Sequence, residues 1–287
     1  MAQHTPADPG ARGRLASPGD AEVHVTVDGS RDAPAVLLLG NAATPAAIWD
    51  PLIPQLAADC RVIRLDLPGC GRPGSPAGGC DIPAQAHQVA AALDRLGVNQ
   101  VTVVGHSSGG TLATALAEQQ PGKVTALALI DTGPSLDAKI PESLLVRLSL
   151  TRFPGRLLWR LKTEATIRKS ARTGFTLPVV IPDAVVDHVR GMTHRAFVAA
   201  MRTPLDYLKQ RNLPDRLAAL GVPVLVIFGT DDKRWRSSSA AAYRAVPGAR
   251  VELLPGVGHT PMMEDPQATG ALLLRFIQPP GGLTNRS

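Results

Sequence analysis

The stretch Val101-Thr-Val-Val-Gly105-His106-Ser107-Ser108-Gly109-Gly110 decides how this chain is read. Residues 101–104 carry a strand signal, and the Ala/Leu-rich Ser108–Gln119 that follows has helix composition. Between them lies Gly-x-Ser-x-Gly. A serine on so sharp a strand-to-helix turn takes a strained backbone, and side chains two residues to either side would clash there. Gly105 and Gly109 remove those side chains. The turn raises the Ser107 hydroxyl above the carboxyl edge of a sheet, where α/β sheets bind ligands. The start of the next helix presents backbone N–H groups to an anion. A purely structural turn can use the same glycines, but the strand–helix setting favours a reactive serine.

Working outward, strands and helices alternate. Glu22–Asp28 alternates valines with polar residues, as a half-buried strand does, and Ala35–Leu39 is a short apolar run suited to a strand covered on both faces. Residues 48–58 read as a helix and 61–67 as a strand. Asp81 is placed to cap a helix running to about Leu96, and Val124–Ile130 is the next strand. The alternation stops over 134–214, which is helical and basic, and resumes with a strand at 222–228, a helix over Ser237–Ala245, a strand over Arg250–Leu254 and a helix over Pro266–Ile277. The expected class is α/β, with a mostly parallel central sheet and helices on both faces. Its core spans 21–133 and 215–278, with an insertion over 134–214 and flexible tails over 1–20 and 279–287.

A serine hydroxyl is a weak nucleophile and needs a base. Of seven histidines, His259 lies in Leu254-Pro-Gly-Val-Gly-His-Thr-Pro, on a Gly-rich loop after a strand and so at the same edge as Ser107. His106 sits in the turn with its side chain expected to point away; the others read as surface or cap residues. A carboxylate must orient His259 and stabilise its protonated form. Asp231 and Asp232 follow the strand at 222–228, and Asp131 follows Val124–Ile130; each is also a candidate for a turn residue satisfying backbone amides.

In the order Ser107, Asp232, His259 these residues resemble the α/β-hydrolase superfamily, in particular its single-domain esterase, haloperoxidase-like and C–C-hydrolase branch, over about 22–277. Asp66-Leu-Pro-Gly-Cys-Gly-Arg resembles the family's strand-4 loop, and Gly258-His-Thr-Pro-Met-Met-Glu-Asp-Pro its histidine loop. In that family the acid usually falls three residues after the glycine ending its strand, which maps to Asp232 ahead of Asp231; Asp131 matches a rarer variant. The family's His-Gly after the third strand is here Leu39-Gly40, followed by Asn41. The resemblance implies an α/β-hydrolase fold with a helical cap, an oxyanion hole from the amides of Asn41 and Ser108, and two-step acyl transfer without metal or organic cofactor. The Asn41 side chain offers one more hydrogen bond at the site floor. The expected activity is carboxylic ester hydrolysis. Thioester or C–C hydrolysis, acyl transfer or cyclisation, and a non-catalytic binding role are the alternatives.

Composition narrows the partners. With 44% hydrophobic and 19% charged residues the chain is globular, and with only 3% aromatics its core must come from Ala, Val, Leu and Ile. No apolar run approaches the ~20 residues that cross a bilayer, and no membrane partner is expected. Residues 1–20 hold no apolar signal core, so a cytoplasmic setting is expected, with Cys60, Cys70 and Cys80 reduced and a Cys70–Cys80 bridge across the Gly/Pro-rich loop as the alternative. The net charge is +6, yet 139–216 alone holds fifteen Lys/Arg against six Asp/Glu. No nucleic-acid motif accompanies that charge. It suits a solvated face, or an acidic or carrier-bound acyl substrate. Leucines such as Leu144, Leu145, Leu148, Leu157 and Leu161 are expected mostly to pack the insertion onto the core, with some lining a pocket. Tyr207 is the insertion's one tyrosine; epoxide-opening members of the family that the chain resembles generally use an aspartate nucleophile and paired cap tyrosines, so the resemblance with Ser107 and a lone tyrosine implies neither epoxide opening nor dehalogenation.

Overall fold

The computed structural model describes residues 11–16, 22–41, 43–66 and 81–278. Eight strands form one sheet: β1 (Ala11–Ala16), β2 (Glu22–Asp28), β3 (Ala35–Leu39), β4 (Arg61–Asp66), β5 (Val101–His106), β6 (Val124–Ile130), β7 (Val224–Gly229) and β8 (Arg250–Leu254). Their order is β1-β2-β4-β3-β5-β6-β7-β8. β1 pairs antiparallel with β2 and β2 with β4; every later pairing is parallel. Ala11–Ala16, expected in a tail, is therefore an edge strand. Its sequence ARGRLA has no clean alternation, and its partners lie on β2.

The apolar runs of the central strands make sense two faces at a time, because successive side chains of a strand point to opposite sides. Leu37, Leu39, Val103, Leu129 and Phe228 pack on one face, beneath α2 (Ile82–Arg95), α3 (Ser108–Gln119) and α9 (Leu213–Leu220). Val36, Leu38, Val104, Ile130 and Ile227 pack on the other, beneath α1 (Ile53–Leu56), α10 (Pro261–Glu264) and α11 (Pro266–Ile277). The helices start where the sequence supplies caps. The Asp81 carboxylate accepts from Ala84 N at 2.7 Å, and Asn212 does the same for Asp215 N at 2.8 Å. The segment read as one helix over 48–58 is instead a 3-10 helix, Ala46–Leu52, followed by the short α1. Pro51 and Pro54 lack the N–H that a continuous α-helix needs.

Between β6 and β7 the chain forms α4 (Leu144–Ser149), α5 (Gly155–Arg160), α6 (Glu164–Arg172), α7 (Asp183–Gly191) and α8 (His194–Gln210), leading into α9. Tyr207 and Arg216 anchor this segment to the core through Glu118 of α3. The tyrosine hydroxyl donates at 2.6 Å and the guanidinium at 2.9 Å. The leucines expected against the core are not there: α4 buries no residue, and Leu144, Leu145, Leu148, Leu157 and Leu161 are exposed. Helical spacing shows that these residues share faces; it does not show what covers them.

Register matters most for the site. Leu39 pairs with Gly105, Ile130 with Ile227 and Gly229 with Leu254, so the carboxyl ends of β3, β5, β6, β7 and β8 lie along one edge. The loops leaving that edge carry Asn41, Ser107, Asp131, Asp232 and His259.

Candidate active site

Ser107 follows β5 directly and takes φ 55° and ψ −122°, which side-chain-bearing residues rarely adopt. Its N–H donates to Ile130 O at 2.8 Å, and its carbonyl accepts from Gly110 N at 3.0 Å and from the Thr132 hydroxyl at 3.0 Å. The turn is also tight. A Cβ on Gly105 would stand 2.4 Å from Gly109 O, and one on Gly109 would stand 2.1 Å from Leu39 O. Both obstacles are backbone, so neither can swing aside. Gly109→Ala is expected to lower unfolding free energy by about 3 kcal/mol through overpacking, seen as an earlier denaturant midpoint. A wild-type midpoint would contradict the close approach of α3 to β3.

The three principal residues come together. His259 Nε2 lies 3.1 Å from Ser107 Oγ, and His259 Nδ1 lies 2.9 Å from Asp232 Oδ2. The other Asp232 oxygen accepts from Arg234 N at 2.6 Å and Trp235 N at 3.2 Å. Burial opposes ionisation of Asp232, but the charge and hydrogen bond of His259, with the two amides, outweigh it and hold the carboxyl below its usual range. Asp231 is not part of this line; its side chain accepts from the Thr230 hydroxyl at 3.1 Å.

Asp131 is buried beside this line. It adopts φ 43°, accepts from Gly229 N at 2.9 Å through Oδ1, and has no donor facing Oδ2. Burial and the neighbouring Asp232 carboxylate push its carboxyl well above the usual range, which favours the protonated form. Asp131, Asp232 and His259 are also metal-type ligands lying within 4.8 Å of one another. Here Asp232 and His259 are engaged with each other, and a cation would have to break that hydrogen bond.

Several supports were not legible as such. His106, expected to face away, packs its ring 5.0 Å from that of His259, and its Nε2–H donates to the His259 carbonyl at 2.7 Å. Burial, with His259 close by, drops its pKa to about 3, so it stays a neutral donor. Thr132 ties the Ser107 carbonyl to β6, and its own carbonyl accepts from the Tyr243 hydroxyl at 2.8 Å. Glu264 accepts from the amides of Gly258 at 3.0 Å, Thr176 at 2.8 Å and Leu177 at 2.8 Å, stitching the His259 loop to the chain after α6. Only the residue's place in the histidine loop hinted at this. Asn41 does not offer its side-chain oxygen to the site: Oδ1 closes a local turn by accepting from Ala43 N at 2.8 Å. Cys60 is buried, and burial pushes its thiol up to about 11. Cys70, Cys80 and most of the strand-4 loop lie outside the described residues.

Ser107, Ser108, Asn41 and His259 border a cavity of about 530 Å3. Its walls are mostly apolar, with Ile48, Leu158, Val185, Phe197 and Met263 among them. Much of the wall comes from the helices between β6 and β7.

A mostly parallel sheet with a serine turn after its fifth strand and a histidine loop after its last is the frame of a hydrolase class. A family model described as the alpha/beta hydrolase family matches residues 35–272. The chain belongs to that family. It is similar to an uncharacterized protein of Mycobacterium tuberculosis, 30% identical over 268 residues that cover 85% of this chain and 75% of that one. It is also similar to the pimeloyl-[acyl-carrier protein] methyl ester esterase of Aeromonas hydrophila, 26% identical with 88% and 99% covered. Among solved structures it resembles a bacterial membrane phospholipase A at 25% identity and TM-score 0.75, covering 93% of this chain and 85% of that one.

Proposed function

We propose that the protein hydrolyses a carboxylic ester with an apolar acyl group, through Ser107, His259 and Asp232. The supporting observation is the hydrogen-bonded line from the Ser107 hydroxyl through His259 to Asp232, opening on the apolar cavity. In this reading Ser107 Oγ attacks the ester carbonyl carbon while its proton passes to His259 Nε2. Asp232 stabilises the resulting imidazolium. The amides of Asn41 and of Ser108, the first residue of α3, receive the oxyanion; a first-turn N–H has no acceptor within its own helix. The alcohol leaves with the proton from His259. Water, deprotonated by His259, then attacks the acyl-serine and releases the acid. The helices between β6 and β7 act as a cap that shapes the acyl pocket. The Aeromonas relative's name, a methyl ester esterase, supports an ester substrate.

The test is a series of p-nitrophenyl esters from acetate upward, with matched thioesters and β-diketones. Each buried methylene contributes about 0.8 kcal/mol, so kcat/KM is expected to rise roughly threefold to fourfold per methylene until the chain fills the cavity. A profile flat in chain length would remove the apolar pocket from the account. Preference for thioesters or β-diketones would replace the ester reading.

A further inference from the structure

We propose that the α4–α5 face is a docking surface for anionic lipid membrane, seating the cavity mouth against the bilayer. The proposal rests on the hydrolase reading only for what is cleaved there; docking itself does not need Ser107.

Six of the ten large apolar side chains that the described residues expose fall within 144–161. Phe153 is 80% exposed, Leu144 68% and Leu161 66%. Scattered apolar residues on a surface need no explanation, but such a concentration does. α4 buries none of its residues, and α4 and α5 pack against each other, so the two present one face.

Charge indicates the partner. From 143 to 163 the chain holds Arg147, Arg152, Arg156, Arg160 and Lys162 and no acidic residue. The four arginines are exposed, and none forms an ion pair among the described residues. On α5, Arg156 and Arg160 are spaced i, i+4 beside Leu157 and the C-cap residue Leu161 at the same spacing. Adjacent rows of leucine and arginine suit a lipid surface: the leucines enter the acyl boundary while the guanidinium groups reach up to anionic headgroups. An acidic carrier protein would satisfy the arginines but offers no apolar medium for Phe153 and the leucines. A second copy of this face would bring cations against cations. Leu145 and Leu161 are both exposed and border the cavity that holds Ser107, so an apolar path leads from this face to the serine. The absence of a membrane-spanning helix among the described residues does not bear on a surface contact of this kind.

The experiment is co-sedimentation of the full-length Ser107→Ala protein with phosphatidylcholine vesicles with and without phosphatidylglycerol, across a salt series. The protein is expected to pellet with the anionic vesicles and be released by salt. Each basic residue near an anionic surface contributes roughly fivefold to partitioning. Arg152→Glu with Arg156→Glu is therefore expected to weaken binding at least tenfold. Leu144→Glu with Leu157→Glu, exposed residues outside the cavity wall, is expected to weaken binding while Ser107-containing protein keeps its turnover of a short soluble ester. Protein left in the supernatant with both vesicle types overturns the proposal, as does binding that neither double variant changes. Retention by an acidic acyl carrier protein, or self-association in sedimentation velocity, lost in the same variants without vesicle binding, assigns the face to a protein and also overturns it. Failure of the ester series with intact vesicle binding would instead strike the hydrolase reading alone.

Discussion

Ser107→Ala is expected to lower kcat on the best ester by on the order of 10^6-fold, and His259→Ala by a similar amount, with the double variant scarcely worse. The non-additivity follows from the geometry. Ser107 Oγ and His259 Nε2 share one hydrogen bond of 3.1 Å, and either alone performs no part of the attack. Ser107→Ala should denature close to wild type, whereas His259→Ala leaves the buried Asp232 carboxyl without its partner and should denature earlier. A Ser107→Ala protein with more than a hundredth of wild-type turnover would show that another group makes the attack.

The second large effect separates two neighbouring carboxyls. Asp232→Asn is expected to reduce kcat on the order of 10^4-fold, because an amide can hold His259 in the wrong tautomer and cannot balance its charge. Asp131→Asn is expected to leave kcat within a few-fold, since the raised carboxyl favours a neutral form that an amide mimics, and the amide oxygen can still accept from Gly229 N. The pair also differs in pH-dependent stability. The Asp131 carboxyl is raised in the folded protein, whereas an unfolded aspartate titrates near about 3.9. Above that value unfolding releases a proton, so wild-type Asp131 costs stability increasingly with pH until the folded carboxyl itself ionises. Tm of Asp131→Asn minus Tm of wild type should thus be small near about pH 4 and grow toward neutrality. Asp232 is lowered, so its contribution has the opposite sign: present above the unfolded value and lost as pH falls through the folded one. A large activity loss in Asp131→Asn with Asp232→Asn nearly intact would exchange their roles.

What could be read in the sequence was mostly local. The bounds of α3, β6, β8 and α11 follow from apolar runs ending at glycines, prolines and polar caps. Ser107, Asp232 and His259 were legible as candidates because each sits on a short loop leaving a strand of one parallel sheet, where topology forces proximity. β1 was not, because ARGRLA becomes a strand only by pairing with Glu22–Asp28. The raised carboxyl of Asp131 depends on burial, which no pattern of residues reports, and on Asp232, far away in sequence. The same holds for His106, whose ring supports the loop of His259 from below. The insertion's leucines have helical spacing, but that spacing fits a buried face and a lipid-facing one equally well.

An activated serine at position 107 is tested most directly by incubation with a fluorophosphonate, followed by mass spectrometry of the modified peptide, in wild type, Ser107→Ala and His259→Ala. A single adduct on Ser107 is expected in wild type, none in Ser107→Ala and strongly slowed labelling in His259→Ala. A folded wild-type protein that takes up no label, or one labelled at another serine, would contradict it.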